Sequence, residues 1–382
     1  MRKKIAVTLI LLPKFASGIP LILIRGTDNQ GGYRNRKPTM KYNQVTIKDI
    51  ARELGISAST VSRALKDHPD ISKETKKAVH ELAIKLNYEP NVVALSLRSR
   101  KTKTIGVVIP EVVHFFFSTV VSGIEHEANQ LGYNVILTQS AESLDRERSS
   151  VKALFNSRVD GMLMSVSRET TDYEHIDAIL NRGIPMVFFD RVYMGDGHNT
   201  ITVDDYGGGK MATEHLLSQG RKKIAHIMGS PKLAISTERL KGYQDALKAH
   251  HIRPNQDLVE QCDAGSLEAG KSSMEKLLSG KTMPDAVFAN NDVLAMGAMQ
   301  AIKARGLRIP QDIAVIGFSN WFYSQMTDPP LSSIDQPGFE IGKNAVRMLV
   351  KRIEHDDEKT PLPAETLTLK TSLVIRDSSK IK

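Results

Sequence analysis

Cysteine is nearly absent from this chain of 382 residues, since Cys262 is the only one. A single thiol excludes an internal disulfide framework and a structural zinc site built from several thiolates. Long apolar runs are also missing, and none approaches the roughly 18 residues that a membrane-spanning helix needs. We therefore expect a cytoplasmic protein with no membrane partner.

Catalytic motifs are missing as well. The sequence contains no Gly-x-Ser-x-Gly elbow and no His-Glu-x-x-His zinc motif. The glycine-rich segment 207–210 looks like a phosphate loop, but Asp204 and Met211 break the required pattern. The pair Asp204 and Asp205 is better interpreted as a loop or lobe contact than as an acid/base pair. We expect no enzyme activity, no metal and no cofactor.

Positive charge is concentrated at the front of the chain. Residues 1–39 carry a net charge of +7, residues 40–101 carry +5, and residues 102–382 carry −3. This asymmetry favours a polyanionic partner for the front end. The alternative is a solvated basic tail, and charge alone does not decide between them.

The first 39 residues form a separate problem. The basic residues 2–4 and the apolar run 5–12 look like the start of a signal peptide, but Pro13 and Lys14 interrupt the run. Met40 stands just before the first well-patterned helix. We expect 1–39 to be a disordered extension or translated upstream sequence, with secretion as the less favoured alternative.

Residues 40–88 have a helical pattern. Thr46 and Asp49 resemble a capping box, Gly55 can end the first helix in the left-handed conformation, and Ser57 and Ser72 can cap the next two. Residues 89–101 are interpreted as a short hinge helix and linker.

From residue 104 onward, buried strands alternate with helices. The pattern predicts strands at 104–109, 134–138, 161–165, 185–189, 223–228, 258–261, 286–289 and 313–317, and helices at 120–131, 146–156, 173–182, 208–219, 237–250, 266–278 and 292–305. Such alternation indicates parallel sheets with helices on both faces. About ten strands fit two sheets better than one.

The segment 46–65 predicts a helix-turn-helix. Ala51 and Gly55 are small enough for the two helices to cross closely. The second helix is expected to expose Ala58, Ser59, Ser62 and Arg63 to a major groove, where Arg63 can donate two hydrogen bonds to guanine. Thr46, Ser57, Thr60 and the first helix amides suit phosphate contacts. The alternative is an ordinary αα-hairpin.

Residues 45–97, which read VTIKDIARELGISASTVSRALKDHPDISKETKKAVHELAIKLNYEPNVVALSL, closely resemble the DNA-binding headpiece of the lactose/galactose repressor (LacI/GalR) family. The resemblance continues through segments such as TIGVVIP, GIPMVFFDR and FANNDVLAMGAMQAIKARGLRIPQDIAVIGF. It implies base contacts by Ala58, Ser59 and Arg63. It also implies a hinge helix at 91–97 that enters the minor groove, with contacts from Asn91, Ala94 and Leu97.

Leu97 matches the leucine that wedges between base pairs in this family, although plain packing of a short helix is the alternative. Many relatives have arginine near Val92 and Val93, and this chain has none there. Backbone contacts at the hinge are therefore either weaker or made by Arg98 and Arg100.

Residues 102–382 look like the two-lobed periplasmic-binding-protein fold, with lobe 1 at about 102–219 and 335–363 and lobe 2 at about 220–334 and 364–376. The resemblance places a small effector between the lobes, in contact with Pro110, His114, Phe115, Phe116, Arg239, Asn291, Ser319 and Gln336. Arg239 is the strongest candidate, and a salt bridge that closes the lobes is its alternative role.

Position 319 departs from the family, because sugar-binding relatives often have aspartate there. Asn320 or Trp321 is a candidate replacement for that carboxylate.

The fold class we expect is therefore multidomain: an all-α headpiece and an α/β module of two parallel-sheet lobes. The function we expect is an effector-controlled repressor that binds double-stranded operator DNA as a homodimer, with a sugar or related metabolite as effector. A secreted sugar receptor and an α/β enzyme are the alternatives, and neither explains the headpiece.

Overall fold

The computed structural model describes residues 45–89, 101–193, 197–355, 360 and 362–380. The extension 1–39 and residues 90–100 of the predicted hinge lie outside the described residues. The chain divides into two compact units, residues 1–90 and 91–382. Each unit is described by itself.

The first unit is a three-helix headpiece with helices α1 (Ile47–Leu54), α2 (Ala58–Ala64) and α3 (Lys73–Lys85). The predicted helix ends are confirmed. The Thr46 hydroxyl donates to Asp49 Oδ2 at 2.7 Å, and Gly55 ends α1 at φ +63°. Ser57 accepts the Thr60 amide at 3.0 Å.

The headpiece core is small and closely packed. Ile50, Val61, Ala64 and Val79 are completely buried, and they come from all three helices. Because one apolar stripe from each helix supplies this core, the opposite faces of the helices remain available to a partner.

The second unit contains eight helices and twelve strands among the described residues. The helices are α4 (Phe115–Gln130), α5 (Leu144–Asn156), α6 (Glu174–Leu180), α7 (Asp205–Ser218), α8 (Ala234–Ala249), α9 (Leu267–Ser279), α10 (Asp292–Ala304) and α11 (Gly338–Ile353). The strands are β1 (Thr104–Ile109), β2 (Asn134–Gln139), β3 (Gly161–Met164), β4 (Met186–Phe189), β5 (Asn199–Val203), β6 (Ile224–Met228), β7 (Val259–Gln261), β8 (Ala286–Ala289), β9 (Ala314–Phe318), β10 (Ser332–Asp335), β11 (Thr366–Leu369) and β12 (Ser372–Val374).

The strands form two six-stranded sheets, one in each lobe. The order is β11-β5-β4-β3-β1-β2 in lobe 1 and β12-β10-β9-β8-β6-β7 in lobe 2. All pairs are parallel except β10 with β12, which is antiparallel. The central strands β3, β4, β6, β8 and β9 are buried along their whole length, as expected for parallel sheets that are covered by helices on both faces. The expectation of two parallel-sheet lobes is confirmed.

The boundaries of the lobes differ from those that the sequence predicted. Helix α7 was assigned to lobe 1, but Ala212 and Leu216 pack in the core of lobe 2 with Tyr243. Strand β11 was assigned to lobe 2, but it pairs with β5 in lobe 1. The chain therefore crosses between the lobes three times, after β5, after β10 and after β11. Local patterns carry no information about which sheet a segment joins, and this explains both errors.

Several elements were missed or begin earlier than predicted. Helix α4 begins at Phe115 rather than residue 120, and α11 was not predicted. Strands β5, β10, β11 and β12 were also missed, because they are short and rich in serine and threonine.

Three pairs of helices pack in unusually close contact through glycines. A Cβ on Gly123 of α4 would overlap the carbonyl of Phe339 in α11, and one on Gly342 of α11 would overlap the Val120 carbonyl. The same reciprocal arrangement joins α7 to α8 and α9 to α10. These contacts fix the helices on which both lobes present their site residues.

Candidate DNA interface and effector cleft

Helix α2 presents the polar side chains predicted to contact DNA. Ser59 and Arg63 are exposed, as expected, and Arg63 makes no ion pair within the described part of the chain. Ser62 is half-buried. Ala58 was expected to point outward, but it is half-buried and packs in part against the headpiece core.

Hydroxyl groups cluster at the start of α2. The Ser57 Oγ lies 2.7 Å from the Ser59 Oγ and 2.8 Å from the Thr60 Oγ1. Thr46 is exposed at the start of α1, with its hydroxyl bonded to Asp49. Asn91, Ala94 and Leu97 lie outside the described residues, so their roles stay predictions.

The second site lies between the two lobes, at the carboxyl ends of their strands. There the loops after β1, β3 and β4 face those after β6, β7, β8 and β9 across a cavity of about 70 Å³. Six of the eight residues predicted to bind an effector line this cavity, namely His114, Phe116, Arg239, Asn291, Ser319 and Gln336. A neighbouring cavity of about 240 Å³ shares Arg168, Asp190 and Arg191 with it and widens the cleft toward solvent.

Two predicted effector residues do not line the inner cavity. Pro110 is buried, and its carbonyl accepts the Ala141 amide. Phe115 turns away toward Phe322, with ring centroids 6.5 Å apart. Because α4 begins at Phe115, the next turn directs Phe116 and Phe117 into the cleft instead.

The Arg239 guanidinium is bonded to groups of lobe 2 through all three of its nitrogen atoms. Its Nε and Nη2 contact Asp205 Oδ1 at 2.8 and 2.7 Å, and its Nη1 donates to the Asn290 carbonyl at 2.7 Å. The guanidinium also lies 3.6 Å from the ring centroid of Phe318. The predicted alternative, a salt bridge, therefore exists, but it joins α8 to α7 within one lobe and does not close the cleft.

Two adjacent asparagines have different roles. The Asn291 side chain caps α10 by accepting the Leu294 amide at 2.9 Å, so its oxygen is occupied. The Asn290 Oδ1 is buried and has no hydrogen-bond partner, and it lies on the cavity wall. Sequence reasoning chose Asn291 and missed Asn290, because nothing local distinguishes the two amides.

The departure at position 319 has a structural consequence. The Ser319 hydroxyl donates to Gln336 Oε1 at 2.7 Å, which leaves the Gln336 Nε2 buried and without a partner. Asn320 is not a replacement for a carboxylate, because its amide is bonded to Asp335 and Arg376. Trp321 does not line the inner cavity but stacks on His114 of the opposite lobe, with ring centroids 6.2 Å apart.

Arginines and carboxylates that the sequence analysis did not select complete the cleft. Arg191 donates to Glu142 through Nη1, while its Nε is buried, has no hydrogen-bond partner and lies 3.9 Å from Asp190 Oδ2. Arg168 donates to the Asp263 carbonyl and so links the two lobes. The charged pair at the end of β4, within the segment GIPMVFFDR, was an available signal, because the carboxyl ends of parallel strands form such sites.

Burial changes the ionisation of two cleft residues. Burial raises the pKa of Asp190 to about 6, although the nearby Arg191 opposes the shift. Burial lowers the pKa of His114 to about 4, with Arg191 as a smaller cause. His114 is therefore neutral at pH 7, and Asp190 is mostly ionised.

Among the described residues, no group of three or more His, Cys, Asp or Glu side chains is placed to hold a metal ion. In that same part of the chain, no helix is both long enough and apolar enough to cross a membrane.

The fold and the cleft together define a class of protein: a helix-turn-helix headpiece followed by a two-lobed binding module. Residues 46–91 match the bacterial regulatory proteins of the lacI family, and residues 213–379 match the periplasmic binding protein-like domain. The ribose operon repressor of Halalkalibacterium halodurans is 33% identical over 336 residues, which cover 88% of this chain and 97% of the relative. The chain therefore belongs to the lacI family of bacterial regulatory proteins.

Other relatives agree with this assignment. The HTH-type transcriptional repressor PurR of Vibrio vulnificus is 34% identical over 344 residues, covering 88% of this chain and 98% of that protein. The Lac repressor dimer bound to operator and the anti-inducer ONPF is similar in structure, with a TM-score of 0.77 and 28% identity over 88% of this chain and 99% of the repressor chain. A CelR–cellobiose complex matches with a TM-score of 0.67 and 28% identity, over 87% and 99% of the two chains.

Proposed function

We propose that this protein is a transcriptional repressor that binds operator DNA as a homodimer and is controlled by a small, hydroxyl-rich effector in the cleft between its lobes. It acts in the cytoplasm and has no enzyme activity of its own. The observation that supports an effector in the cleft is a set of buried polar atoms on residues of the cavity wall that have no hydrogen-bond partner. These atoms are His114 Nδ1, Arg191 Nε, Asn290 Oδ1 and Gln336 Nε2. A buried polar group without a partner costs about 1–3 kcal/mol, and a ligand that pairs with several recovers that energy.

The chemistry of these atoms favours a neutral polyol such as a sugar. Arg191 and Gln336 offer donors, while Asn290 and Asp190 offer acceptors, and a hydroxyl group can pair with either kind. The strongest charges are already balanced, because Glu142 pairs with Arg191 and Asp205 pairs with Arg239. Phe116 and Phe117 supply the apolar wall that binding sites for small molecules generally have.

For DNA, we propose that Arg63 and Ser59 contact base edges and that Thr46, Ser57, Thr60 and Ser62 contact the backbone. Ala58 contributes only the part of its methyl group that is not covered by the headpiece core. Arg63 carries most of the sequence preference, since its guanidinium is exposed and unpaired within the described residues. Asn91, Ala94 and Leu97 are proposed for the minor groove on the basis of the family resemblance alone.

A homodimer is proposed because a relative with the same fold was solved as a dimer on its operator. Two headpieces related by a twofold axis read a pseudo-palindromic site. Four exposed apolar residues lie after β1 and on the short 3-10 helix Phe322–Met326, and we propose that a second copy covers them; they are Val113, Phe322, Tyr323 and Met326.

Selection of binding sites from a random duplex library with the full chain tests the proposed sequence-specific DNA binding. An enriched pseudo-palindrome whose affinity changes with a sugar supports the whole proposal. Enrichment without any response to sugars or related metabolites would refute the effector while leaving the repressor. No enrichment under any condition would refute both.

A further inference from the structure

A second cavity lies at the opposite edge of lobe 1, beside the amino ends of β1, β3 and β4. It has a volume of about 710 Å³, roughly ten times that of the inner effector cavity. Its wall has an apolar part, formed by Phe155, Ile184 and Ile353, and a cationic part that includes Arg158 and Arg352. The effector cleft does not use any of these residues.

Within the described part of the chain, the charges that line this cavity are predominantly positive. The side chains of Arg158 and Arg182 make no ion pair among the described residues, and the Arg182 guanidinium lies 4.5 Å from the ring centroid of Phe155. Among the described residues that line the cavity, Asp160 is the only acid. Its two oxygens accept the backbone amides of Thr102 and Lys103, each at 2.7 Å.

Arg352 is half-buried at this wall without a complete set of hydrogen-bond partners. Its two Nη atoms donate to the carbonyls of Leu362 and Pro363, while its Nε is buried and unpartnered. Glu365 forms a long ion pair with Arg352 at 3.8 Å and lies closer to Lys351, at 2.6 Å. Burial also lowers the pKa of Arg352. An anion in the cavity would give the Arg352 Nε a hydrogen-bond acceptor.

We propose that this cavity binds a small organic phosphate, with the phosphate group on Arg158 and Arg352 and the organic part against Phe155, Ile184 and Ile353. Arg182, beside the Phe155 ring, adds positive charge next to the site. Guanidinium groups pair with phosphate through charge-assisted hydrogen bonds. A concave wall with an apolar part fits a small molecule better than a duplex backbone. Residues 102–382 carry a net charge of −3, so this positive site stands out from the rest of the module.

The position of the site gives it a regulatory role. Lys101 lies on the cavity wall and is the last residue of the predicted hinge and linker. A ligand bound here contacts the point where the chain from the headpiece enters lobe 1. The site therefore adds a second input that is separate from the interlobe effector.

Thermal unfolding of the full chain with adenosine monophosphate as the probe tests the proposal. We expect about 5 mM probe to raise Tm by roughly 2–4 °C, more than sodium phosphate at equal ionic strength does. The shift should fall at least threefold in R158Q/R182Q and persist in R253Q, a control at an exposed arginine of lobe 2. Both substitutions are on the surface, so the Tm without ligand should change little.

An equal shift in R158Q/R182Q would overturn the site, and a shift no larger than that with sodium phosphate would overturn the organic ligand. A duplex of random sequence provides the remaining arm. If R158Q/R182Q weakened duplex binding several-fold while adenosine monophosphate gave no shift, the proposal would be wrong and the cluster would belong to the DNA backbone.

Discussion

The buried pair of Arg239 and Asp205 allows a quantitative test of how the cleft is built. Both side chains are less than a tenth exposed, and they contact each other at 2.7 Å. Asp205→Leu would leave the guanidinium with only the Asn290 carbonyl, and Arg239→Met would leave a buried carboxylate alone. Each single change should destabilise the module by about 3–5 kcal/mol.

The double variant Asp205→Leu/Arg239→Met should be far more stable than the sum of the single variants implies. It removes both charges together, so the remaining cost is the unpaired Asn290 carbonyl, about 1–3 kcal/mol, and the cation–π contact with Phe318, about 0.5–2 kcal/mol. We expect a coupling free energy of several kcal/mol.

Urea unfolding of the full chain measures this cycle, because Trp321 is the only tryptophan and its fluorescence reports on the module alone. Additive single-variant effects would refute the argument that the pair is a coupled buried unit. The same protein also separates folding from effector binding. If the double variant responded to an effector as the natural chain does, Arg239 would have no role in binding.

Three further predictions follow from other parts of the molecule. Arg63→Ala should cost about 1–3 kcal/mol of operator binding free energy and relax the sequence preference at one base pair, whereas the control Arg52→Ala on α1 should have neither effect. Competition with operator variants that differ at single bases measures both effects. An equal loss of affinity for all sequences would contradict a base contact by Arg63. His226 is completely buried with its pKa lowered to about 4, so its contribution to stability is complete above pH 6.5 and declines as pH falls toward 4. The stability difference between the natural chain and His226→Phe should therefore fall by up to about 1.4 kcal/mol per pH unit, and a pH-independent difference in urea unfolding would refute this. Gly209→Ala places a methyl group against the Arg239 backbone and should lower the free energy of unfolding by about 1–3 kcal/mol. The control Gly265→Ala should be tolerated, because the nearest atom to its methyl group would be 3.8 Å away. Equal Tm values for the two variants would show that α7 and α8 can separate without loss of stability.

Much of the fold could be predicted from the sequence because its signals are local. Caps at Thr46, Ser57 and Ser72 determine where the headpiece helices begin, and uninterrupted apolar runs identify the central strands. The strands that the sequence did not predict depend on contacts between residues that are distant in the chain. Strand β10 contains two serines that are buried with hydrogen bonds to distant residues, such as Ser332 to the Arg376 carbonyl. Such strands look like loops in a sequence.

The site shows the same division. Positions inherited from the family resemblance, such as His114 and Gln336, do lie in the cleft. The specific chemistry does not follow from position, because it depends on which atoms are already occupied. Asn291 is used by its own helix, while its neighbour Asn290 keeps a free oxygen. Only the three-dimensional structure shows which of the two side-chain oxygens already has a hydrogen-bond partner.

The three crossings between the lobes mean that neither lobe is a continuous piece of chain. Residues 366–374 supply an edge strand to each sheet, and the helix before them covers lobe 1. A premature stop after α10 would therefore damage both halves of the module at once, while leaving the headpiece sequence intact. The product of such a stop would keep the sequence of the DNA-binding headpiece but lack a complete effector-binding module. A single truncation would therefore remove ligand control and the fold of both lobes together.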